Sequence, residues 1–263
     1  MAIIDTHAHY DDLRFDEDRD EIINSLPSLN VERVINSAAT AKSCKETLEL
    51  CAKYPFFYGL LGIHPTEIDD LEFYFLESIK DELKNNEKIV GIGEIGLDYY
   101  WVKEENEQER QKLWFRKQIE LAKELKLPIC IHSRDAAEAT MKILEEYYPK
   151  NPDSLSGVVH CFGYSAEIAE ECVKRGFLIG VGGVLTFKNA RKLKEVVEKL
   201  PLSKIVLETD TPYMAPTPFR GERNNSSLLK YVVDEIANIK GITAFEVEKL
   251  TSENARKVYP KLV

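Results

Sequence analysis

The sequence predicts an α/β protein with the (β/α)8 fold, the TIM barrel, and three observations lead to this prediction. Eight short runs of Val, Ile, Leu and Gly alternate with segments of helical periodicity along the 263 residues. The runs are apolar almost throughout, which is typical of parallel strands that are covered on both faces. Histidines or carboxylates end six of the eight runs, and a closed barrel is the fold that brings all strand ends to one face.

The strand-like runs are short and rich in β-branched and aliphatic residues, as strands require. They cover residues 2–7, 33–38, 57–63, 89–94, 128–132, 157–161, 177–182 and 205–209. A helical segment follows each run, with apolar residues three and four positions apart. These segments cover residues 15–26, 41–53, 71–86, 105–126, 136–148, 165–175, 189–200 and 226–240, and a ninth covers 243–257. Asp135, Ser165 and Thr243 are the predicted N-caps, because their side-chain oxygens can accept from free helix N–H groups.

The composition indicates one domain. Apolar residues make up 44% of the chain, and neither a linker nor a low-complexity segment interrupts it. Barrels of this class have about 250 residues, so we predict that residues 1–263 form a single domain. A doubly wound open sheet is the alternative. It does not explain how residues from six strand ends would meet at one site.

The net charge and the cysteine content restrict the classes of protein to which this chain can belong. A net charge of −10 argues against a broad duplex-binding surface, which is usually basic. It does not exclude a polyanionic substrate, because bound metal ions dominate the field of their pocket. Five cysteines without a C-x-x-C pair predict a reduced, cytoplasmic protein. We expect neither a membrane span nor a signal peptide, and no feature predicts an obligate protein partner.

A metal centre is predicted from the residues that end the strand-like runs. All five histidines stand at such ends, and Glu94 and Asp210 end two further runs. Side chains two apart on a strand point the same way, so the two histidines of I-I-D-T-H-A-H converge. Imidazoles and carboxylates gathered in this way are the ligands of divalent-metal hydrolases. The six predicted ligands are His7, His9, Glu94, His132, His160 and Asp210.

Six ligands are too many for one tetrahedral ion with an open position. They suit two divalent ions about 3.5–4 Å apart that share a bridging carboxylate. We predict Glu94 as the bridge, because its strand faces the first strand across the barrel mouth. The two histidines of the first strand and Asp210 are assigned to one ion, and His132 and His160 to the other. This donor set suits Zn²⁺, Mn²⁺ or Co²⁺, and Mg²⁺ with waters.

Two further carboxylates lie deeper on the same faces of their strands. Metal-bound histidines usually donate their second ring N–H to a carboxylate or carbonyl. Asp5 and Glu208 are therefore predicted to orient the ligands, and the alternative is a buried carboxylate paired elsewhere in the barrel.

Two arginines are candidates for phosphate binding. Arg134 follows His132 by two residues, and Arg220 lies in the Pro/Gly-rich loop after the eighth run. Loops after strands 7 and 8 of TIM barrels often bind phosphate, and a guanidinium grips phosphate oxygens with two N–H groups. Residues 188–223 hold eight Lys or Arg against five Asp or Glu, which predicts a basic rim. The alternative for each arginine is a solvated surface side chain.

The remaining candidates are polar and aromatic. His64 ends the third run, where it can donate to a phosphate or a leaving group, or serve as a plain polar rim residue. Tyr99, Tyr100 and Trp101 follow Asp98. These aromatic rings can stack on a nucleobase, and a cluster that covers the core is the alternative.

Taken together, these segments resemble one known family, the TatD-type metal-dependent deoxyribonucleases. The matching segments lie between residues 3 and 225 and are I-I-D-T-H-A-H-Y-D, G-I-H-P, G-E-I-G-L-D-Y, I-H-S-R-D, H-C-F, L-E-T-D-T-P-Y and R-G-E-R-N. The resemblance implies a TIM barrel of the amidohydrolase superfamily, two divalent metal ions and hydrolysis of DNA, often from the 3′ end of single strands. The family's ligands map onto the six predicted here, and His64 matches its third segment.

The leading functional prediction is therefore a DNA phosphodiesterase. A metal-activated water attacks phosphorus, Asp210 accepts its proton, and the metals with Arg134 neutralise charge on the phosphoryl oxygens. Glu94 is counted with the catalytic residues as the metal bridge. The alternative is a metal-dependent amidohydrolase or lactonase acting on a small molecule. Many such relatives bridge their metals with a carbamylated lysine, so Glu94 favours the nuclease. A non-catalytic scaffold fits the six-ligand set poorly.

Overall fold

The computed structural model describes residues 2–69 and 71–262, and within them eight strands form one parallel sheet. The strands are β1 (Ile3–Ala8), β2 (Val31–Ser37), β3 (Phe57–Leu61), β4 (Ile89–Asp98), β5 (Ile129–Arg134), β6 (Gly157–Val159), β7 (Phe177–Val181) and β8 (Ile205–Leu207). They pair in sequence order. The sheet closes where Ala8 of β1 bridges Thr211, just past β8. The predicted (β/α)8 barrel is confirmed.

Helices connect the strands and follow the last one. They are α1 (Arg19–Ser25), α2 (Ala41–Lys53), α3 (Tyr74–Ser78), α4 (Lys80–Asn85), α5 (Glu105–Leu125), α6 (Ala137–Tyr147), α7 (Ala166–Lys174), α8 (Arg191–Lys199), α9 (Leu229–Lys240) and α10 (Ala244–Val258). The prediction of one helix over 71–86 is wrong, because the chain breaks at Ile79 into α3 and α4. The Ser78 hydroxyl donates to the Phe75 carbonyl at 2.6 Å, a back-bond of the kind that competes with helix continuation.

The three predicted N-caps have different outcomes. Thr243 caps α10 in a capping box with Glu246, as predicted. Ser165 occupies the N-cap position of α7 without a side-chain cap bond. The prediction for Asp135 is wrong, because the chain turns there with φ of 53° and Ala136 becomes the cap residue of α6. Asp135 instead lines the cavity at the barrel mouth.

Two apolar layers hold the barrel and leave its C-terminal mouth to polar groups. An inner cluster takes at least one residue from every strand, for example Ile4 of β1, Cys130 of β5 and Val206 of β8. Val258 and Tyr259, at the end of α10, join this cluster, so this part of the chain packs against the inner core. A larger outer cluster packs the strands against the surrounding helices. Polar side chains at the upper strand ends therefore face an open mouth above a filled core.

No helix among the described residues is both long enough and apolar enough to cross a membrane.

Candidate metal centre

The barrel mouth brings the six predicted ligands together from the ends of five strands. His7, Glu94 and His132 lie within β1, β4 and β5. His9 and His160 follow directly after β1 and β6, and Asp210 stands three residues after β8. A cavity of about 950 Å³ opens above them. His7 lies fully buried beneath this cavity, and the other five predicted ligands line it.

One oxygen of Glu94 faces the histidines of the first strand. Its Oε2 lies 3.3 Å from His7 Nε2 and 3.6 Å from His9 Nε2. Asp210 Oδ1 lies 3.8 Å and 3.4 Å from the same two nitrogens, which are 3.0 Å apart. Metal bonds of 2.0–2.2 Å at tetrahedral angles separate ligand atoms by roughly 3.3–3.6 Å. These four side chains therefore fit one divalent cation.

The other oxygen of Glu94 faces a second pair of histidines. Its Oε1 lies 2.8 Å from His132 Nδ1 and 2.7 Å from His160 Nε2, and the two nitrogens are 3.2 Å apart. His64 Nε2 stands 3.6 Å from the same oxygen. The two Glu94 oxygens thus point at two separate sets of imidazole nitrogens, which is the arrangement that a bridging carboxylate needs.

Neighbouring groups decide which ring nitrogen of each histidine is free to bind a cation. His9 Nδ1 lies 2.8 Å from the Ser37 carbonyl oxygen, which can only accept, so Nε2 keeps its lone pair. His132 Nε2 lies 3.0 Å from Asp98 Oδ2, which leaves Nδ1 for the cluster. His160 Nδ1 has no such partner among the described residues. Carboxylates and carbonyls behind ligand imidazoles fix the tautomer and raise ligand basicity.

Asp98 is a functional candidate that the sequence reasoning missed. It ends β4 four residues after Glu94, and alternate residues of a strand share a face. That even spacing is the signal that could have identified it. Burial opposes the charge of its carboxylate, but the hydrogen bonds from His132 and from the Trp101 backbone N–H, together with the neighbouring imidazoles, lower the pKa of Asp98.

The carboxylates of the centre stay ionised in spite of burial. Burial opposes the charge of Glu94, but the imidazoles of His160, His64 and His7 hold its pKa well below the usual range. Burial likewise opposes the charge of Asp210, and its hydrogen bond with His9 lowers its pKa. Two negative carboxylates are thus available among the imidazoles.

The histidines divide into two classes. Burial lowers the pKa of His7 to about 4 and that of His64 to about 3, so both rings are neutral near pH 7. Burial also opposes the charge on His9 and His132, but neighbouring carboxylates stabilise the protonated rings more than burial destabilises them. Bonding to Asp210 and the charge of Glu94 raise the pKa of His9 to about 10, and Asp98 and Glu94 raise that of His132 to about 9.

These values predict that cation affinity rises with pH. A cation must displace the protons of His9 and His132, because only the neutral ring is a ligand. Between pH 6 and pH 8, below both raised pKa values, each pH unit should tighten binding by about 10- to 100-fold for one or two released protons. Mn²⁺ dissociation constants at pH 6, 7 and 8, with free ion set by a calibrated chelator, check this. Equal affinity at pH 6 and pH 8 would contradict it.

Asp5 and Glu208 are buried where predicted, but neither contacts an imidazole N–H. Asp5 accepts from the Thr209 backbone and hydroxyl at 3.0 and 2.7 Å and from the Ser226 hydroxyl at 2.6 Å. It also accepts from the His7 backbone N–H at 3.3 Å. Asp5 therefore ties β1 to the end of β8, which is the alternative of a carboxylate paired elsewhere. Burial raises its pKa to about 6.

Glu208 fills a space that a glycine leaves. Its Oε1 accepts from the Cys161 backbone N–H, and its Oε2 has no hydrogen-bond partner among the described residues. A Cβ at Gly180 would lie 2.2 Å from that Oε2, so only glycine leaves room for the carboxylate. Burial raises the pKa of Glu208 to about 8.

The rim differs from the basic surface that the sequence predicts. Arg134 lines the cavity, whereas Arg220 lies outside its lining with its guanidinium 4.5 Å from the Phe187 ring. The adjacent Phe219 packs on Tyr231 of α9, which anchors this loop. None of the Lys and Arg in 188–223 belongs to the lining. Apart from the metal cluster, Asp98 and Glu208, its charged members are Asp11, Asp12, Lys42, Glu46, Glu67, Arg134 and Asp135.

Known proteins resemble this chain along almost its whole length. The family model described as TatD related DNase matches residues 4–260. The uncharacterized metal-dependent hydrolase YabD of Bacillus subtilis is 42% identical over 257 residues, 98% of this chain and 98% of YabD. The crystal structure of YjjV, a TatD homologue of Escherichia coli K12, has a TM-score of 0.89 at 31% identity, with 98% of both chains covered. A TatD family hydrolase of Entamoeba histolytica, at 24% identity and a TM-score of 0.85 over 98% of both chains, shares the fold.

Proposed function

This chain belongs to the TatD-related DNase family of metal-dependent hydrolases, and we propose that it hydrolyses phosphodiester bonds of DNA at two divalent cations. The resemblance read from its sequence segments is thereby confirmed at the level of the family. The observation that carries the proposal is the position of Glu94. Its two oxygens face two separate pairs of imidazole nitrogens, at 3.3 and 3.6 Å and at 2.8 and 2.7 Å.

The proposal assigns the cation ligands as the sequence predicts. His7, His9 and Asp210 would hold one cation, His132 and His160 would hold the other, and Glu94 would be shared between them. Zn²⁺, Mn²⁺, Co²⁺ and Mg²⁺ are compatible with nitrogen and carboxylate donors. When bound, such cations acidify water and withdraw charge from phosphoryl oxygens.

Asp210 is assigned to proton transfer, and His64 is assigned to hydrogen bonding. Asp210 is ionised, and in the proposed reaction it accepts the proton of the water that attacks phosphorus. The Thr66 backbone N–H donates to His64 Nδ1 at 3.2 Å, so neutral His64 carries its proton on Nε2. That nitrogen lies 3.6 Å from Glu94 Oε1, and in the proposed reaction it donates a hydrogen bond to a phosphoryl or leaving oxygen and keeps its proton.

The rim supports an end-directed enzyme more than one that follows a long duplex. Its charged lining has five carboxylates and two cationic side chains, Lys42 and Arg134. Lys42 pairs with Glu46 at 3.0 Å, whereas Arg134 has no ion pair within residues 2–69 and 71–262. A surface with one free cation neutralises few phosphates. We therefore propose single-stranded 3′ ends as the substrate and Arg134 as the side chain that binds phosphate oxygens.

The test of the proposed function compares linear and circular single-stranded DNA of the same sequence. The metal-reconstituted protein should release mononucleotides stepwise from 3′-labelled linear strands and leave the circle intact. A chelator should abolish release, because the water and the phosphate both need the cations, and added Mn²⁺ or Zn²⁺ should restore it.

Two results would contradict the proposal. Cleavage of the circular strand at the same rate as the linear strand would show that the enzyme does not need a strand end. Hydrolysis of cyclic amides or lactones without any release from DNA would instead establish the small-molecule amidohydrolase.

A further inference from the structure

Two exposed aromatic side chains stand beside the metal centre. Trp101 is 67% exposed and lines the cavity, and Tyr100 is 44% exposed. Their ring centroids are 4.8 Å apart in an edge-on contact. Tyr99, by contrast, packs against the outer core. The alternative of a cluster that covers the core therefore describes Tyr99 and does not describe the two exposed rings.

The loop that carries these rings is held by the carboxylate behind a metal-ligand candidate. Asp98 Oδ1 accepts from the backbone N–H groups of Tyr100 and Trp101 at 3.0 and 2.9 Å. Its other oxygen lies 3.0 Å from His132 Nε2. One carboxylate thus sets both the tautomer of His132 and the position of the aromatic loop. A preformed loop loses little freedom when a ligand binds it.

A guanidinium completes the aromatic surface. Arg134 lies with its guanidinium carbon 3.9 Å from the Tyr100 ring centroid and 5.7 Å from that of Trp101. A guanidinium that lies over a ring face keeps its N–H edge free for an anion. Arg134 belongs to β5, two residues after His132. The exposed ring of Trp101 and a cation for phosphate therefore stand together beside the metal centre.

We infer that Trp101, with Tyr100 in edge-on contact and Arg134 beside it, presents its ring as a stacking platform for the base of the nucleotide whose phosphate lies at the metal centre. This inference rests on the proposed function and names its substrate determinant. A planar base offers a π-face whatever its sequence, so such a platform favours nucleotides over aliphatic amides or lactones without selecting one base.

The inference predicts a base-dependent affinity that depends on Trp101. The metal-loaded protein should bind deoxyadenosine 5′-monophosphate about 5- to 150-fold more tightly than 2-deoxyribose 5-phosphate, the range expected for stacking of one base. Calorimetry measures both constants. Trp101→Ala should bring the ratio close to one, and Trp101→Phe should keep most of it. Tyr74→Ala is the matched control, because Tyr74 is 76% exposed on α3 outside the cavity lining.

Tryptophan fluorescence gives a second readout of the same contact. The chain has two tryptophans, and Trp114 is only 2% exposed, so quenching by the nucleotide reports on Trp101. Deoxyadenosine 5′-monophosphate should quench the wild-type emission, and the sugar phosphate should not.

The outcomes separate this inference from the proposed function. An unchanged ratio in Trp101→Ala, or equal affinity of the wild-type protein for both ligands, would overturn the platform even if DNA is cleaved. A Trp101-dependent preference for the nucleotide in a protein that cleaves no DNA would support the stacking platform and contradict the proposed nuclease activity.

Discussion

Glu94→Gln should lower DNA hydrolysis by about 10³–10⁴-fold and leave the protein with fewer than two bound divalent cations. The amide keeps the shape of the side chain but replaces one ligand oxygen with an NH₂ group and removes the charge. The two Glu94 oxygens face two different pairs of histidines, so one cation loses its shared ligand. Cation stabilisation of transition-state charge contributes several kcal/mol, which corresponds to the stated loss.

Metal content per chain and turnover at saturating Mn²⁺ measure this effect. The same substitution at Glu138, an exposed residue of α6, is the matched control and should keep both cations and full turnover. The barrel should stay folded in Glu94→Gln, because the apolar layers beneath the mouth are untouched. Two bound cations together with wild-type turnover in this variant would contradict the bridging assignment.

Asp210→Asn should lower turnover by about 10²–10⁴-fold, the usual contribution of a general base, while most of the bound metal remains. Asparagine keeps one oxygen near His9 and His7, which lie 3.4 and 3.8 Å from Asp210 Oδ1. It cannot accept a proton from water near neutral pH. The two variants should therefore have different defects. Glu94→Gln should bind fewer cations, whereas Asp210→Asn should keep most of the metal and lose mainly turnover.

The measurement for Asp210→Asn is turnover as a function of Mn²⁺ concentration, together with metal content. The loss should persist at saturating metal. Recovery of near-wild-type turnover at high Mn²⁺ would mean that Asp210 acts only as a ligand, and the role of proton acceptor would then be wrong.

Asp98 shows why some site residues are harder to identify than others. The metal ligands stand out in the sequence because a histidine at a strand end is an uncommon place for that residue. Asp98 lies four residues beyond Glu94 in a strand that the sequence pattern ends at residue 94, whereas β4 continues to Asp98. The extra residues pair with β5, and pairing with a distant strand is not visible in local periodicity.

Arg220 shows that the position of a loop side chain is also hard to predict from the local sequence. Its Pro/Gly-rich segment predicts a loop near the phosphate sites of other barrels, and the loop does follow β8. Contacts of Phe219 and Arg220 with Tyr231 and Phe187 hold the arginine outside the cavity lining. Those contacts join residues 12 and 33 positions apart in the sequence, so composition alone could not reveal that the rim is acidic.

The sequence by itself determined the alternation of strands and helices and the set of residues at the strand ends, because both follow from local periodicity and residue type. The tertiary structure alone decided which Glu94 oxygen faces which histidines, which carbonyl or carboxylate holds the tautomers of His9 and His132, and which charges surround the cavity. These features depend on distances between side chains from different strands and loops. Such distances are set by closure of the barrel and packing of its loops, which no single segment of the chain encodes.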